Sequence, residues 1–168
     1  HPMHVLIVDD NRTNRRIFEE VLKSWNMETV STDAATQGLK ELKQAASSEN
    51  PFDLVLLDYM MPEMDGFGFA EQVRTDERLR GTKIIMLSSA AQSGHAKKCQ
   101  DLGIVRYMTK PVVQSELLNT MLSVFQEPSP SENGSSRETA IPEAVPEAAV
   151  LNSLLAEDGM VNQRVAMG

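Results

Sequence analysis

From Met3 to Phe125 short apolar runs alternate with stretches whose apolar positions recur at helical spacing. Residues 4–8, 28–31, 52–57, 83–87 and 104–108 read as strands. After the first, Asn11 or Thr13 can cap a helix in which Ile17, Val21, Leu22 and Trp25 share a face. Asp33 is expected to cap a second helix carrying Ala35, Leu39, Leu42 and Ala46, ended by the polar stretch up to Pro51. A loop through Pro62 and Gly66 leads into a third with Phe69, Ala70 and Val73. A fourth is predicted over residues 91–102, closed by Gly103 as a glycine just past a helix end. The fifth shows Leu117, Leu118, Met121, Leu122 and Phe125.

Strand and helix alternating five times predict an α/β domain over residues 3–126. Its expected form is a doubly wound, flavodoxin-like, five-stranded parallel sheet with five helices. His1-Pro2 ahead of Met3 are set aside, as residues of an expression tag would be. Beyond Gln126 the pattern stops. Residues 127–149 hold Pro128, Pro130, Pro142, Pro146, the run Asn133-Gly134-Ser135-Ser136 and five glutamates, and few side chains that build a core. Residues 127–150 are therefore expected to be a linker. The final stretch, residues 151–168, then repeats the beginning. Glu157-Asp158 falls on Asp9-Asp10, Asn162 on Asn14 and Arg164 on Arg16, all at one offset, with apolar positions in phase. Either this is a chance amphipathic helix or it is an internal repeat cut off after one strand and part of a helix.

Charge changes the picture only by its placement. The net −8 divides into −3 over residues 1–126 and −5 over residues 127–168, so the acidity belongs mostly to the tail. No basic stripe marks a nucleic-acid partner. The single cysteine, Cys99, permits no internal disulfide and is expected to be a small apolar filler on a helix. No apolar stretch approaches the ~20 residues that span a bilayer, and no signal peptide precedes the first strand. A cytoplasmic location without membrane contact by this segment is expected, although a parent protein could be membrane-anchored. His4 and His95 lack companions at metal-ligand spacing, and His95 is expected on the exposed side of the fourth helix. Met60, Met61, Met64, Met86 and Met108 read as core and loop filler.

The chemistry lies where the strands end. Asp9-Asp10 closes the first run, Asp58 the third, Ser88-Ser89 the fourth and Lys110-Pro111 the fifth. Open α/β sheets build their sites at that carboxyl edge. Each group alone has an ordinary explanation: Asp9-Asp10 as helix-dipole complement, Ser88 as a cap, Lys110 as a solvated loop lysine. Together they describe an aspartate that accepts a phosphoryl group with a metal's help. Nucleophile and phosphoryl oxygens are both anionic, so a divalent cation is needed. Mg²⁺ takes one or two carboxylates with waters and phosphate, which Asp9, Asp10 and Asp58 can supply together with a backbone carbonyl after Asp58. Lys110 would meet one phosphoryl oxygen as a point charge, and Ser88 would donate to another. Pro111 suits a cis peptide that fixes the aim of Lys110.

Val8-Asp9-Asp10-Asn11, Leu57-Asp58-Tyr59-Met60-Met61-Pro62-Glu63-Met64-Asp65-Gly66, Leu87-Ser88-Ser89-Ala90 and Tyr107-Met108-Thr109-Lys110-Pro111 resemble the receiver domain of two-component response regulators. The resemblance covers residues 3–126. It implies Asp58 as phosphoacceptor, Mg²⁺ held by Asp9, Asp10, Asp58 and the Met60 carbonyl, Ser88 as the switch hydroxyl and Lys110 as the phosphate-binding lysine. Tyr107 falls where the family carries its rotating switch aromatic, with plain strand-end packing as the alternative. Serine at 88 replaces the commoner threonine and keeps the hydroxyl. Implied partners are a histidine kinase or a histidine phosphotransfer domain, with receiver–receiver self-association a further one. Phosphorylation would repack the face made by the fourth helix, fifth strand and fifth helix. The Glu157-Asp158 repeat resembles the acidic pair of a second receiver. Tandem receivers joined by such a linker resemble the C-terminal part of a hybrid sensor histidine kinase, although no kinase motif is present.

Three other functions fit the residues less well. A haloacid-dehalogenase-type phosphatase needs Asp-x-Asp after the first strand, but Asn11 follows Asp9 two on and Arg12 follows Asp10. A receiver that only docks, without accepting phosphate, is disfavoured by the complete set of Asp58, acid pair, Ser88 and Lys110. A DNA-binding regulator would need a helix-turn-helix, which residues 127–168 do not show.

Overall fold

The computed structural model describes residues 1–89 and 94–126. The expected linker and truncated repeat, residues 127–150 and 151–168, lie outside the described residues. In chain order the elements are β1 (His4–Val8), α1 (Arg12–Ser24), β2 (Glu28–Thr32), α2 (Ala35–Ala46), β3 (Leu54–Asp58), α3 (Gly66–Thr75), a short 3₁₀ turn (Glu77–Leu79), β4 (Lys83–Ser88), α4 (Ala96–Asp101), β5 (Ile104–Thr109) and α5 (Gln114–Gln126). The strands form one parallel sheet in the order β2-β1-β3-β4-β5. The predicted five-stranded, five-helix, flavodoxin-like architecture is therefore what the chain adopts.

Both faces of the sheet are covered, which is why its central strands read as unbroken apolar runs. Side chains alternate along each strand. Leu6, Val8, Val55, Leu57, Ile84 and Met86 meet Leu39 and Leu42 of α2 and Phe69 and Val73 of α3. Val5, Ile7, Leu54, Leu56, Ile85 and Leu87 meet Phe18 and Leu22 of α1 and Leu117, Met121 and Val124 of α5. Gly38, inside α2, allows a close approach: a Cβ there would lie 2.9 Å from Val8 Cγ2 and 3.1 Å from Phe69 Cε2.

Four expectations need correction. The buried stripe of α1 is Phe18, Val21 and Leu22, with Trp25 partly buried, whereas Ile17 is half exposed. Those positions follow i, i+3, i+4 and i+7, and Ile17 falls one step off the face. Along α5 the buried set is Leu117, Met121 and Val124, leaving Leu122 and Phe125 partly exposed, at 47% and 37%. Asp33 does not cap α2, because the chain stays extended through Ala34, the residue at the cap position, which makes no side-chain cap bond. The fourth helix is shorter than expected among the described residues. Gly94, at φ 112°, and His95 precede its first turn, and residues 90–93 lie outside the description. At the other end Gly103 adopts φ 69°, as a residue past a helix end does.

Candidate functional site

Register places the reactive groups before any side chain is considered. Val8 pairs with Leu57 across β1 and β3, so Asp9 and Asp58 leave adjacent strands side by side. Asp58 pairs with Leu87 across β3 and β4, and Ser88 with Thr109 across β4 and β5. The Lys110 N–H donates to the Ser88 carbonyl at 2.7 Å, carrying the β5 edge one residue past its strand. The Lys110-Pro111 peptide is cis, as its sequence suggested.

Lys110 Nζ then reaches Asp9 Oδ2 at 2.9 Å and Asp58 Oδ1 at 3.1 Å. Asp9, Asp58 and Ser88 are buried, at 1%, 5% and 1% exposure, and Asp10 is exposed. Carboxylate oxygens of Asp9, Asp10 and Asp58 all come within 4.8 Å of one another. One lysine faces three carboxyls, two of them buried, so an anionic surplus remains for a cation to neutralise. The donor set is all oxygen, which fits a hard cation such as Mg²⁺. Burial raises the Asp58 pKa above its ordinary value of 3.8; the hydrogen bond and charge of Lys110 oppose this, and the Asp9 charge adds to it. Burial also disfavours the Lys110 ammonium, but Asp9 and Asp58 overcome it and raise that group's pKa.

The loop after Asp58 is held by Gly66 N–H on the Tyr59 carbonyl at 2.9 Å, and by Asp65, which caps α3 through Gly68 N–H at 2.8 Å. The Met60 side chain is 64% exposed, and its N–H points toward Asp58 Oδ1 at 3.4 Å. Tyr107 is partly buried against the α3 side of the core, with Met86 in the same cluster. Cys99 is buried and its thiol pKa is raised by burial, in keeping with a filler. His95 is half-buried rather than exposed. Its ring centroid lies 5.0 Å from that of Phe67 and 5.8 Å from that of Tyr59, the residue after the central carboxylate.

Two contributors escaped the sequence reading. Asn14 Nδ2 donates to Asp9 Oδ2 at 3.2 Å, and Arg15 Nη1 donates to the carbonyls of Asp9 and Asp10 at 2.7 and 3.1 Å. Asn11 caps α1 through the N–H groups of Thr13 and Asn14, and its own N–H donates to Asp9 Oδ1 at 2.8 Å. Their sequence signals were position, since residues in the first turn and a half of a helix lie near the loop that precedes it, and for Asn14 its recurrence as Asn162 in the repeat.

A parallel sheet of this order with an acid pair, a central aspartate and a lysine at its carboxyl edge defines a class of single-domain α/β signalling modules. Among solved structures, chemotaxis response regulator CheY4 of Vibrio cholerae superposes with a TM-score of 0.67 at 26% identity, covering 74% of this chain and 99% of that one. The receiver domain of sensor histidine kinase PA1611 of Pseudomonas aeruginosa, solved with a magnesium ion in its active-site cleft, matches in fold at TM-score 0.61 and 24% identity, covering 73% of this chain and 97% of that one. The family model for the response regulator receiver domain matches residues 5–122, and the chain belongs to that family. The histidine-protein kinase BarA of Shigella flexneri is 31% identical over 120 residues, which is 71% of this chain and 12% of the kinase. The polar-differentiation response regulator DivK of Brucella anthropi is 29% identical over 122 residues, 73% of this chain and 95% of that protein. Relatives thus include both hybrid kinases and free-standing regulators. Receiver domains work with histidine kinases or phosphotransfer partners. Among the described residues no helix is long and apolar enough to cross a membrane.

Proposed function

We propose that Asp58 accepts a phosphoryl group from a phosphohistidine of a histidine kinase or histidine phosphotransfer domain. The observation that supports this best is the convergence of three carboxyls within 4.8 Å, with Lys110 spanning Asp9 and Asp58. An ionised Asp58 oxygen forms the new O–P bond while the N–P bond of the donor breaks. The bonding pair stays on the imidazole nitrogen, which takes up a proton. Asp9, Asp10, Asp58 and the Met60 carbonyl would hold Mg²⁺, which supplies positive charge against the anionic oxygens of nucleophile and phosphoryl group. Lys110 turns from Asp58 to a phosphoryl oxygen, and Ser88 donates its hydroxyl to another. Displacement of Ser88 and Tyr107 then repacks the face of α4, β5 and α5 as a two-state output.

The parent is proposed to be a hybrid sensor histidine kinase acting in the cytoplasm. Residues 127–150 would be its linker and residues 151–168 the opening of a second receiver. The chain's alignment with BarA supports a kinase parent, and the Glu157-Asp158 repeat supports a second receiver. A receiver that docks without accepting phosphate is the competing function, and receiver–receiver association is compatible with either. Intact-mass measurement with Mg²⁺ and acetyl phosphate separates them. The expected result is a gain of one phosphoryl group, absent without Mg²⁺ and in Asp58→Ala. No gain in the wild type would favour the docking role.

A further inference from the structure

The acid pocket is gripped from the α1 side by two side chains, Asn14 and Arg15. Arg15 Nη1 donates to the carbonyls of both Asp9 and Asp10, at 2.7 and 3.1 Å. Asn14 Nδ2 donates to the Asp9 carboxylate, 3.2 Å from Oδ2, on the oxygen that also receives Lys110. Asn11 N–H holds the other oxygen at 2.8 Å. When a cation takes the place of Lys110, Asn11 and Asn14 still fix the plane of the Asp9 carboxylate, and Arg15 still fixes the backbone that carries both acids. All three rise from the cap and first turns of α1, which is anchored by the buried Phe18, Val21 and Leu22.

We propose that Asn14 and Arg15 are positioning residues that make the acid pocket selective for Mg²⁺ over larger divalent cations. This rests on the magnesium role assigned above. Mg²⁺ demands near-ideal octahedral contacts at about 2.0–2.1 Å, whereas Ca²⁺ accepts irregular sets at about 2.3–2.6 Å, so ligand rigidity discriminates between them. A free two-residue loop can spread to suit either ion. Pinned to a packed helix at two carbonyls and one carboxylate, it cannot. The charge of Arg15 repels both divalent ions alike, so the ratio of their affinities isolates the geometric effect.

The test is titration of the full chain with MgCl₂ and with CaCl₂ by calorimetry, for wild type, Asn14→Leu, Arg15→Met and Arg15→Lys. Wild type is expected to prefer Mg²⁺. Each variant should lose about tenfold of that preference, the scale of outer-shell effects on metal sites. Arg15→Lys keeps the charge and most of the length but replaces the planar guanidinium, whose Nη1 reaches both carbonyls, by a freely rotating ammonium on a flexible stem. It therefore decides the matter if another variant loses its far-UV circular dichroism in EDTA. Ratios unchanged within about twofold would overturn the clamp alone, even with both affinities shifted together. A wild type that binds Mg²⁺ without preference would also overturn it. A wild type that takes no Mg²⁺ would overturn the magnesium role and the clamp with it.

Discussion

Asp58 is drawn in opposite directions by its surroundings. Burial and the charge of Asp9 favour its protonated form, Lys110 favours the carboxylate, and the net shift is upward from 3.8. Replacing Lys110 by methionine removes the opposing influence. The Asp58 midpoint, followed by carboxyl-carbon NMR, is expected to rise further in Lys110→Met, and an unchanged midpoint would mean the ion pair has no hold on it. The same variant vacates a cationic position between Asp9 and Asp58, so Mg²⁺ affinity should increase while phosphorylation by acetyl phosphate slows. Stability follows the sign of the shift. A folded carboxyl with a raised pKa binds its proton more tightly than the unfolded chain does. Its contribution is therefore full below 3.8 and declines as pH rises through the raised value. Asp58→Asn should abolish that decline in urea unfolding measured across the acid range. Lys110 follows the same sign at the alkaline end: its raised pKa contributes stability that is full below 10.5 and lost in stronger alkali.

Helices and strands show where the sequence was legible and where it was not. Strand ends were readable because a polar residue closing an apolar run can only sit at the sheet's edge, which is how Asp9, Asp58, Ser88 and Lys110 were all found. Helix faces were less so. Ile17 and Phe18 are equally apolar neighbours, and only the direction in which α1 docks decides that Phe18 goes inside. Asn14 and Arg15 carry no signal of their contact with the acid pair, since a polar residue aimed at a preceding loop has no periodicity of its own. Asp33 misled for a related reason: a good capping residue has no effect where the chain remains extended for one residue more. The start of α3 offers a direct test of how tightly an element is set against the site. A Cβ at Gly66 would lie 2.9 Å from Met86 Cε and 3.1 Å from both the Asp58 carbonyl oxygen and Tyr59 Cα. Methionine can yield, but backbone cannot, so Gly66→Ala is expected to cost about 1–3 kcal/mol in chemical unfolding. It should also slow phosphorylation of Asp58. Leu56→Ala, in the fully buried middle of β3, should cost about 2–5 kcal/mol, leaving labelling intact wherever the fold persists.

At the scale of the molecule, the buried members of both apolar clusters among the described residues run from Val5 to Val124, and the family match ends at 122. A chain ended after Gln126 is accordingly expected to keep its circular dichroism, its cooperative unfolding and its Mg²⁺-dependent phosphorylation. Loss of folding on that truncation would show that residues 127–168 supply part of the core. The sheet order β2-β1-β3-β4-β5 also makes the chemistry depend on both ends of the domain. Lys110 and Asp9 stand 101 positions apart in the chain, yet their side chains meet at 2.9 Å. During synthesis Asp9, Asp10 and Asp58 all emerge before Lys110, so a growing chain holds the aspartates without the cation that pairs with them. The lysine reaches the acids only when β5 pairs with β4 at the edge of the sheet. On the proposed function, a copy whose β5 has not joined the sheet is expected to take up phosphate slowly, as Lys110→Met would, and so to draw little of it from a donor.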